Sequence, residues 1–148
     1  MTTLKIAITG STGFIGQHVC QRFAQLGWNV RTVLRPQTVK PAPARKETVT
    51  SRLVRAELAQ AFTDCDVVLN LAGRTRAASL EEFLDANAAA TEQVALAARD
   101  VDARLIHISS QAAAGIGTKE RPRVETDPPS PISDYGRSKL VGEEAIEG

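Results

Sequence analysis

The sequence is short of the features that announce most chemistries. Its 148 residues hold two cysteines, two histidines, one tryptophan and one tyrosine, and aromatic residues make up only 4%. Cys20 and Cys65 lack the spacing of a zinc site, so reduced, packed thiols are expected and no metal is assigned. His18 and His107 are isolated and receive no chemical role. A formal net charge of +1 lacks the clustered basic surplus of a nucleic-acid binder. No apolar run reaches membrane-spanning length, and the N-terminus has no basic region, apolar core and cleavage site. These absences point to a cytoplasmic protein with neither membrane nor nucleic-acid partner. There is no internal repeat and no low-complexity segment. What remains is ordinary: 43% hydrophobic and 24% charged residues, enough for one domain with a sizeable core.

The periodicity reads as alternating strands and helices. Leu4–Thr9 is a short buried strand. Phe14–Leu26 is a helix with apolar residues at 15, 19, 23 and 26 on one face, stopped at Gly27. Asn29–Arg35 is a β-branched second strand ended by Pro36, completing a βαβ unit with an expected right-handed crossover. Gln37–Thr50 reads as an exposed loop carrying Pro41, Pro43, Arg45, Lys46 and Glu47. A short strand within Thr48–Val54 and a short helix over Ala56–Phe62 follow. Asp66–Leu71 is a fourth strand closed by Ala72 and Gly73, before a loop with Arg74 and Arg76. Ser79 and Glu82 form a capping box for an alanine-rich helix running to Arg99. Arg104–Ser109 is a fifth strand, residues 111–133 are loop, and Ser133 caps a last helix. This alternation implies an α/β fold with a doubly wound parallel sheet, whose ligands bind beyond the carboxyl ends of the strands.

The chain is organised around Thr9-Gly10-Ser11-Thr12-Gly13-Phe14-Ile15-Gly16, between the first strand and the first helix. Glycines at 10, 13 and 16 remove Cβ atoms where the chain turns and where a phosphate approaches backbone N–H groups. A helix starting near Phe14 aims its positive dipole end at that phosphate. The G-x-x-G-x-x-G spacing is a variant of the dinucleotide fingerprint.

Tyr135 and Lys139 are four apart on the last helix and so share a face. A lone tyrosine titrates near 10, and an adjacent ammonium stabilises its phenolate, fitting it to exchange a proton with a hydroxyl or carbonyl. Taken alone, the pair also fits a packing aromatic beside a solvated lysine. Ser109 and Ser110 end the fifth strand at the sheet edge that carries the glycine loop. A hydroxyl there can hold the reacting oxygen against Tyr135.

The set resembles the short-chain dehydrogenase/reductase superfamily, specifically its extended branch of epimerases, dehydratases and reductases. The matching pieces are the glycine loop, Asp66–Gly73, Asn87-Ala88-Ala89-Ala90-Thr91, Ile108–Gly115, Glu125-Thr126-Asp127-Pro128-Pro129 and Tyr135-Gly136-Arg137-Ser138-Lys139-Leu140. The resemblance implies a Rossmann-type fold and a hydride exchanged between a nicotinamide cofactor and a carbon bearing the hydroxyl or carbonyl. It implies Tyr135 as acid/base and Lys139 as its electrostatic partner and ribose anchor. Ser110, which meets the family's spacing to Gly115, would bind the substrate oxygen, and Asn87 would support the site. Gly10, Thr12, Gly13, Phe14, Ile15 and Gly16 would hold the cofactor, with Leu71, Ala72 and Gly73 lining it by backbone.

Three departures refine this. Leu34 and Arg35 stand where NAD-using members carry an acid. Arg35 can pair with a 2′-phosphate, so NADP is favoured and NAD is the alternative. The Gly-Asp pair often found near the adenine is missing between Thr48 and Glu57. The chain also stops nine residues past Lys139, within the catalytic helix. We therefore expect residues 1–148 to be an incomplete NAD(P)-binding domain, truncated after the catalytic-helix motif and without its substrate lobe. Lost sheet neighbours would leave an apolar edge and face exposed, favouring self-association into a homo-oligomer or poor stability. The expected partner is a small molecule, a nucleotide sugar or another carbonyl or hydroxyl compound. A non-catalytic dinucleotide sensor or scaffold is the alternative, disfavoured by the presence of both tyrosine and lysine.

Overall fold

The computed structural model describes residues 4–40 and 47–147. Pro41, Pro43, Arg45 and Lys46, expected in an exposed loop, lie outside the described residues. In chain order the elements are β1 (Lys5–Thr9), α1 (Phe14–Gln25), β2 (Asn29–Leu34), β3 (Glu47–Thr50), α2 (Arg55–Phe62), β4 (Val67–Asn70) and α3 (Leu80–Leu84). A π-helical turn (Asp85–Ala89), α4 (Ala90–Asp100), β5 (Arg104–His107), α5 (Gln111–Ala114) and α6 (Asp134–Glu147) complete the chain. Two compact units result, Met1–Ala72 with Gln93–Ile108 and Gly73–Glu92 with Ser109–Gly148.

The first unit is built on a parallel sheet in the order β3-β2-β1-β4-β5. Because strand side chains alternate, β1 feeds both faces. Ile6 and Ile8 join Cys20, Val30 and Leu69, with Val19 and Phe23 of α1 packed against them. Ala7 joins Val33 and Val68 under Leu58 and Phe62 of α2 and Val94, Ala97 and Ala98 of α4. A parallel sheet covered on both faces is the Rossmann-type, doubly wound arrangement. Arg31, central in β2 and 7% exposed, is held through its terminal nitrogens, while its Nε has no partner among the described residues. Its guanidinium donates to the Ala61 and Thr63 carbonyls and pairs with Glu47 at 2.7 Å.

The second unit contains α3, the π turn, α5 and α6. Ser79 Oγ accepts from the Glu82 N–H at 3.2 Å, but the Glu82 carboxylate accepts from Ala78 N–H and pairs with Arg74. The predicted capping box is therefore half made, because Glu82 has a cationic partner in the preceding loop. The alanine-rich helix is interrupted at Asp85–Ala89, where the turn widens. Part of the expected 111–133 loop is helical. Ser110 Oγ caps α5 by accepting from Ala112 N–H at 3.2 Å, and Gly115 ends it at φ +96°. Ser133 caps α6 as expected, accepting from Gly136 N–H at 3.0 Å.

Candidate functional site

The glycine loop of the first unit is shaped by close backbone approaches. Gly10 sits at φ +71°, the left-handed region that penalises side chains. A Cβ there would stand 2.5 Å from the Leu71 carbonyl carbon and 2.6 Å from the Ala72 nitrogen. A Cβ at Gly16 would collide with the Gly10 carbonyl oxygen and the Ser11 backbone. The loop is thus folded tightly against Leu71–Ala72 and against the first turn of α1. Gly13 is the N-cap of α1 and offers no side-chain acceptor, and no acid stands in the first turn. The positive end of a twelve-residue helix is therefore left for an external anion. Ser11 is fully buried, and its hydroxyl has no partner among the described residues. The cradle, the uncapped helix end and this hydroxyl fit a dinucleotide diphosphate.

Buried Asn70 fixes the wall of this cradle. Its Oδ1 accepts from Thr9 Oγ1 at 2.6 Å and from Ala72 N–H at 3.2 Å. Its Nδ2, which can only donate, lies 3.0 Å from His107 Nδ1, so that ring nitrogen accepts. This ladder ties β1, β4 and β5 at their carboxyl ends and shapes the Leu71–Ala72 segment that receives Gly10. Sequence reasoning gave His107 no role and passed over Asn70. A polar residue ending an apolar strand was the available signal. The β1–β2 register pairs Thr9 with Val33, so Ser11 and Arg35 both follow two residues later at one sheet edge. Arg35 is exposed there. Phe14 and Ile15 are also exposed, at 82% and 53%. The expected α1 face of 15, 19, 23 and 26 is thereby corrected. Gly16, Val19, Cys20 and Phe23 face the sheet, because Gly16 seats the helix on the loop backbone. Ile15 and Leu26 stay outside.

In the second unit, Asn87 occupies the centre of the π turn and is fully buried. Its Oδ1 accepts from Arg74 N–H at 2.7 Å, and its Nδ2 donates to the Arg74 carbonyl and to Ser138 Oγ, both at 2.9 Å. Gly73 comes so close that a Cβ there would stand 3.1 Å from Asn87 Oδ1. Ser138 Oγ then donates to the Tyr135 carbonyl at 2.8 Å. Tyr135 is half-buried, with its ring 6.0 Å from that of Phe83 on α3. Lys139, one turn on, is 3% exposed, which rules out the solvated lysine that the motif alone allowed. Burial holds its ammonium below the ordinary lysine range, while the Glu143 carboxylate pulls the other way. Ser110 accepts from Ala112 N–H, and its hydroxyl hydrogen stays available to an incoming oxygen. Ser109 Oγ is buried without a partner among the described residues. Sequence reasoning missed Ser138. A small hydroxyl residue directly before the lysine was its only trace.

The described residues hold no metal-ligating cluster and no helix long and apolar enough to cross a membrane. Comparison with known proteins gives the family. The dTDP-6-deoxy-L-talose 4-dehydrogenase (NAD(P)(+)) of Kitasatospora kifunensis is 34% identical over 96% of this chain and 46% of its own. The ceramide reductase of Caulobacter vibrioides is 35% identical over 95% of this chain and 41% of its own. The chain thus spans less than half the length of these curated relatives. The structure of UDP-glucuronic acid 4-epimerase from Bacillus cereus in complex with NAD superposes with a TM-score of 0.80 and 26% identity, over 97% of this chain and 52% of that one. The profile of the NAD dependent epimerase/dehydratase family matches residues 6–148, and the chain belongs to that family.

Proposed function

We propose that the chain is the NAD(P)-binding part of an oxidoreductase, epimerase or dehydratase acting at a hydroxyl or carbonyl carbon of a nucleotide sugar, with NADP preferred. Two of the similar proteins are named for dTDP- and UDP-sugars, which supports that substrate class. Gly10, Thr12, Gly13, Phe14, Ile15 and Gly16 hold the diphosphate at the uncapped end of α1. Arg35 pairs with the 2′-phosphate, and Leu71, Ala72 and Gly73 offer backbone groups along the cofactor. The bound nicotinamide supplies the hydride acceptor or donor. Ser110 donates to the substrate oxygen and Tyr135 Oη moves its proton, off a hydroxyl in oxidation and onto a carbonyl in reduction. Lys139 stabilises the phenolate electrostatically and anchors the ribose. Asn87 holds the loop at Arg74 and the start of α6 in place.

The observation that carries this reading is the burial of Lys139 one turn beyond Tyr135. Out of water, an ammonium acts more strongly on a neighbouring phenolate. In the full-length parent enzyme, Tyr135→Phe should keep NADP binding while lowering turnover of dTDP-6-deoxy-L-talose with NADP by about 10²–10⁴-fold, the range of a positioned acid/base. Unchanged turnover would end the Tyr135 assignment. Arg35→Asp should turn the preference from NADP towards NAD, and an unaltered preference would remove Arg35 from cofactor selection.

A further inference from the structure

Ser138 is fully buried in α6, between the two residues assigned to proton transfer, and its hydroxyl does two things at once. It accepts from Asn87 Nδ2 at 2.9 Å and donates to the Tyr135 carbonyl at 2.8 Å. The polarity of this chain is forced. A carbonyl only accepts, so the Ser138 hydrogen goes to Tyr135, and its oxygen must then receive a hydrogen from Asn87. That orients the Asn87 amide, whose second Nδ2 hydrogen meets the Arg74 carbonyl and whose Oδ1 receives the Arg74 N–H. Both amide hydrogens and the hydroxyl hydrogen are committed. A network so satisfied has one low-energy arrangement.

We propose that Ser138 is a positioning residue for Tyr135 and Lys139, coupling the first turn of α6 to Asn87 and through it to the Arg74 loop. The proposal rests on the reading of Tyr135 and Lys139 given above. The carbonyl that Ser138 engages belongs to Tyr135 itself, so the bond fixes the backbone from which the phenol projects. The next residue is Lys139, so the same anchor sets the rotation of α6 that presents the ammonium. The Phe83 ring lies 6.0 Å from the phenol ring. Without the Ser138 hydroxyl, Asn87 Nδ2 keeps a hydrogen with no acceptor, and the turn bearing Tyr135 loses its fixed point.

The test uses the chain's single tyrosine. Fluorotyrosine incorporation gives one ¹⁹F resonance, which reports Tyr135 alone and needs no substrate. The wild type should give one narrow line, and Ser138→Ala a shifted or exchange-broadened line. Ser138→Cys keeps the side-chain volume with a weaker donor, should fall between, and serves in place of Ser138→Ala if that variant does not fold. Gly27→Ala, a backbone change in the other unit, controls for general destabilisation and should leave the line alone. In turnover of dTDP-6-deoxy-L-talose with NADP by the full-length parent enzyme, Ser138→Ala should lower kcat by about tenfold to a hundredfold, the cost of misplacing a reacting group. An unaltered ¹⁹F line with unaltered kcat in Ser138→Ala would overturn the proposal, while Tyr135→Phe that still turns over would overturn the underlying reading instead.

Discussion

The seat of α6 on the π turn can be tested with one methyl group. Gly142 lies within α6, and a Cβ there would stand 2.6 Å from the Asn87 carbonyl oxygen. On an open helix, glycine to alanine gains about 1 kcal/mol from propensity. Here the methyl must displace a backbone carbonyl, an overpacking that costs about 1–3 kcal/mol. That carbonyl also accepts from Thr91 Oγ1 at 2.7 Å, and disturbing such a bond costs about 0.5–1.5 kcal/mol. The costs exceed the gain, so Gly142→Ala should destabilise by about 2 kcal/mol. With a urea slope near 2 kcal/mol per molar, the midpoint falls by about 1 M. Urea unfolding followed by circular dichroism, which reports helix, measures it. A midpoint raised by about 0.5 M, the response of an exposed helical glycine, would refute the packing of α6 against Asn87.

Other predictions follow from charge, burial and backbone conformation. The folded-state value of Lys139 lies below its ordinary 10.5, so the folded chain releases this proton before the unfolded chain does. The cost of the buried ammonium is complete below the folded value and is relieved as pH climbs towards 10.5. Unfolding of Lys139→Met across that alkaline window should lack the relative gain seen in the wild type. Glu47 behaves oppositely. Arg31, with Lys5, holds its carboxyl below the usual 4.5, so its contribution is present above 4.5 and lost as pH falls through the folded value. Glu47→Gln should flatten that acid limb of the stability profile. Burial pushes the Cys20 thiol up to about 11, leaving about one part in ten thousand as thiolate at neutral pH. Thiol reagents should modify Cys20 only after unfolding, and rapid native labelling would contradict its placement. Gly27 sits at φ +71° with open space around its Cβ position. Gly27→Ala should therefore cost about 1–2 kcal/mol of backbone strain alone, and Gly27→Asn less.

The parts of the fold legible in the sequence are those written in local chemistry. Gly10, Gly13 and Gly16 mark a loop that only missing Cβ atoms permit, Gly27 marks a left-handed stop, and β-branched runs mark the strands. The rest is set by tertiary contacts. Nothing in an alanine-rich run announces a π turn at Asp85–Ala89. There the Asn87 carbonyl turns to Thr91 Oγ1 and meets Gly142 from another helix. The stripe of α1 was misplaced because periodicity finds apolar residues and does not say which glycine seats the helix. Lys139 and Arg31 carry charges that composition assigns to solvent, yet both are buried, Arg31 against the distant Ala61 and Thr63 carbonyls. Of the candidate residues, the structure links Asn87 to α6 through a serine that no motif singled out. Around the glycine loop it adds Asn70 and His107, whose roles depend on strands meeting at one edge.

The central claim is that the glycine loop receives the diphosphate of a dinucleotide, with Arg35 beside it selecting NADP. Calorimetric titration of the chain with NADP and with NAD tests this most directly. The account predicts binding of both, tighter for NADP, with loss of both in Gly16→Val, whose side chain fills the space against Gly10 and Ser11. Failure of the wild type to bind either dinucleotide, or Gly16→Val binding as well as the wild type, would contradict it.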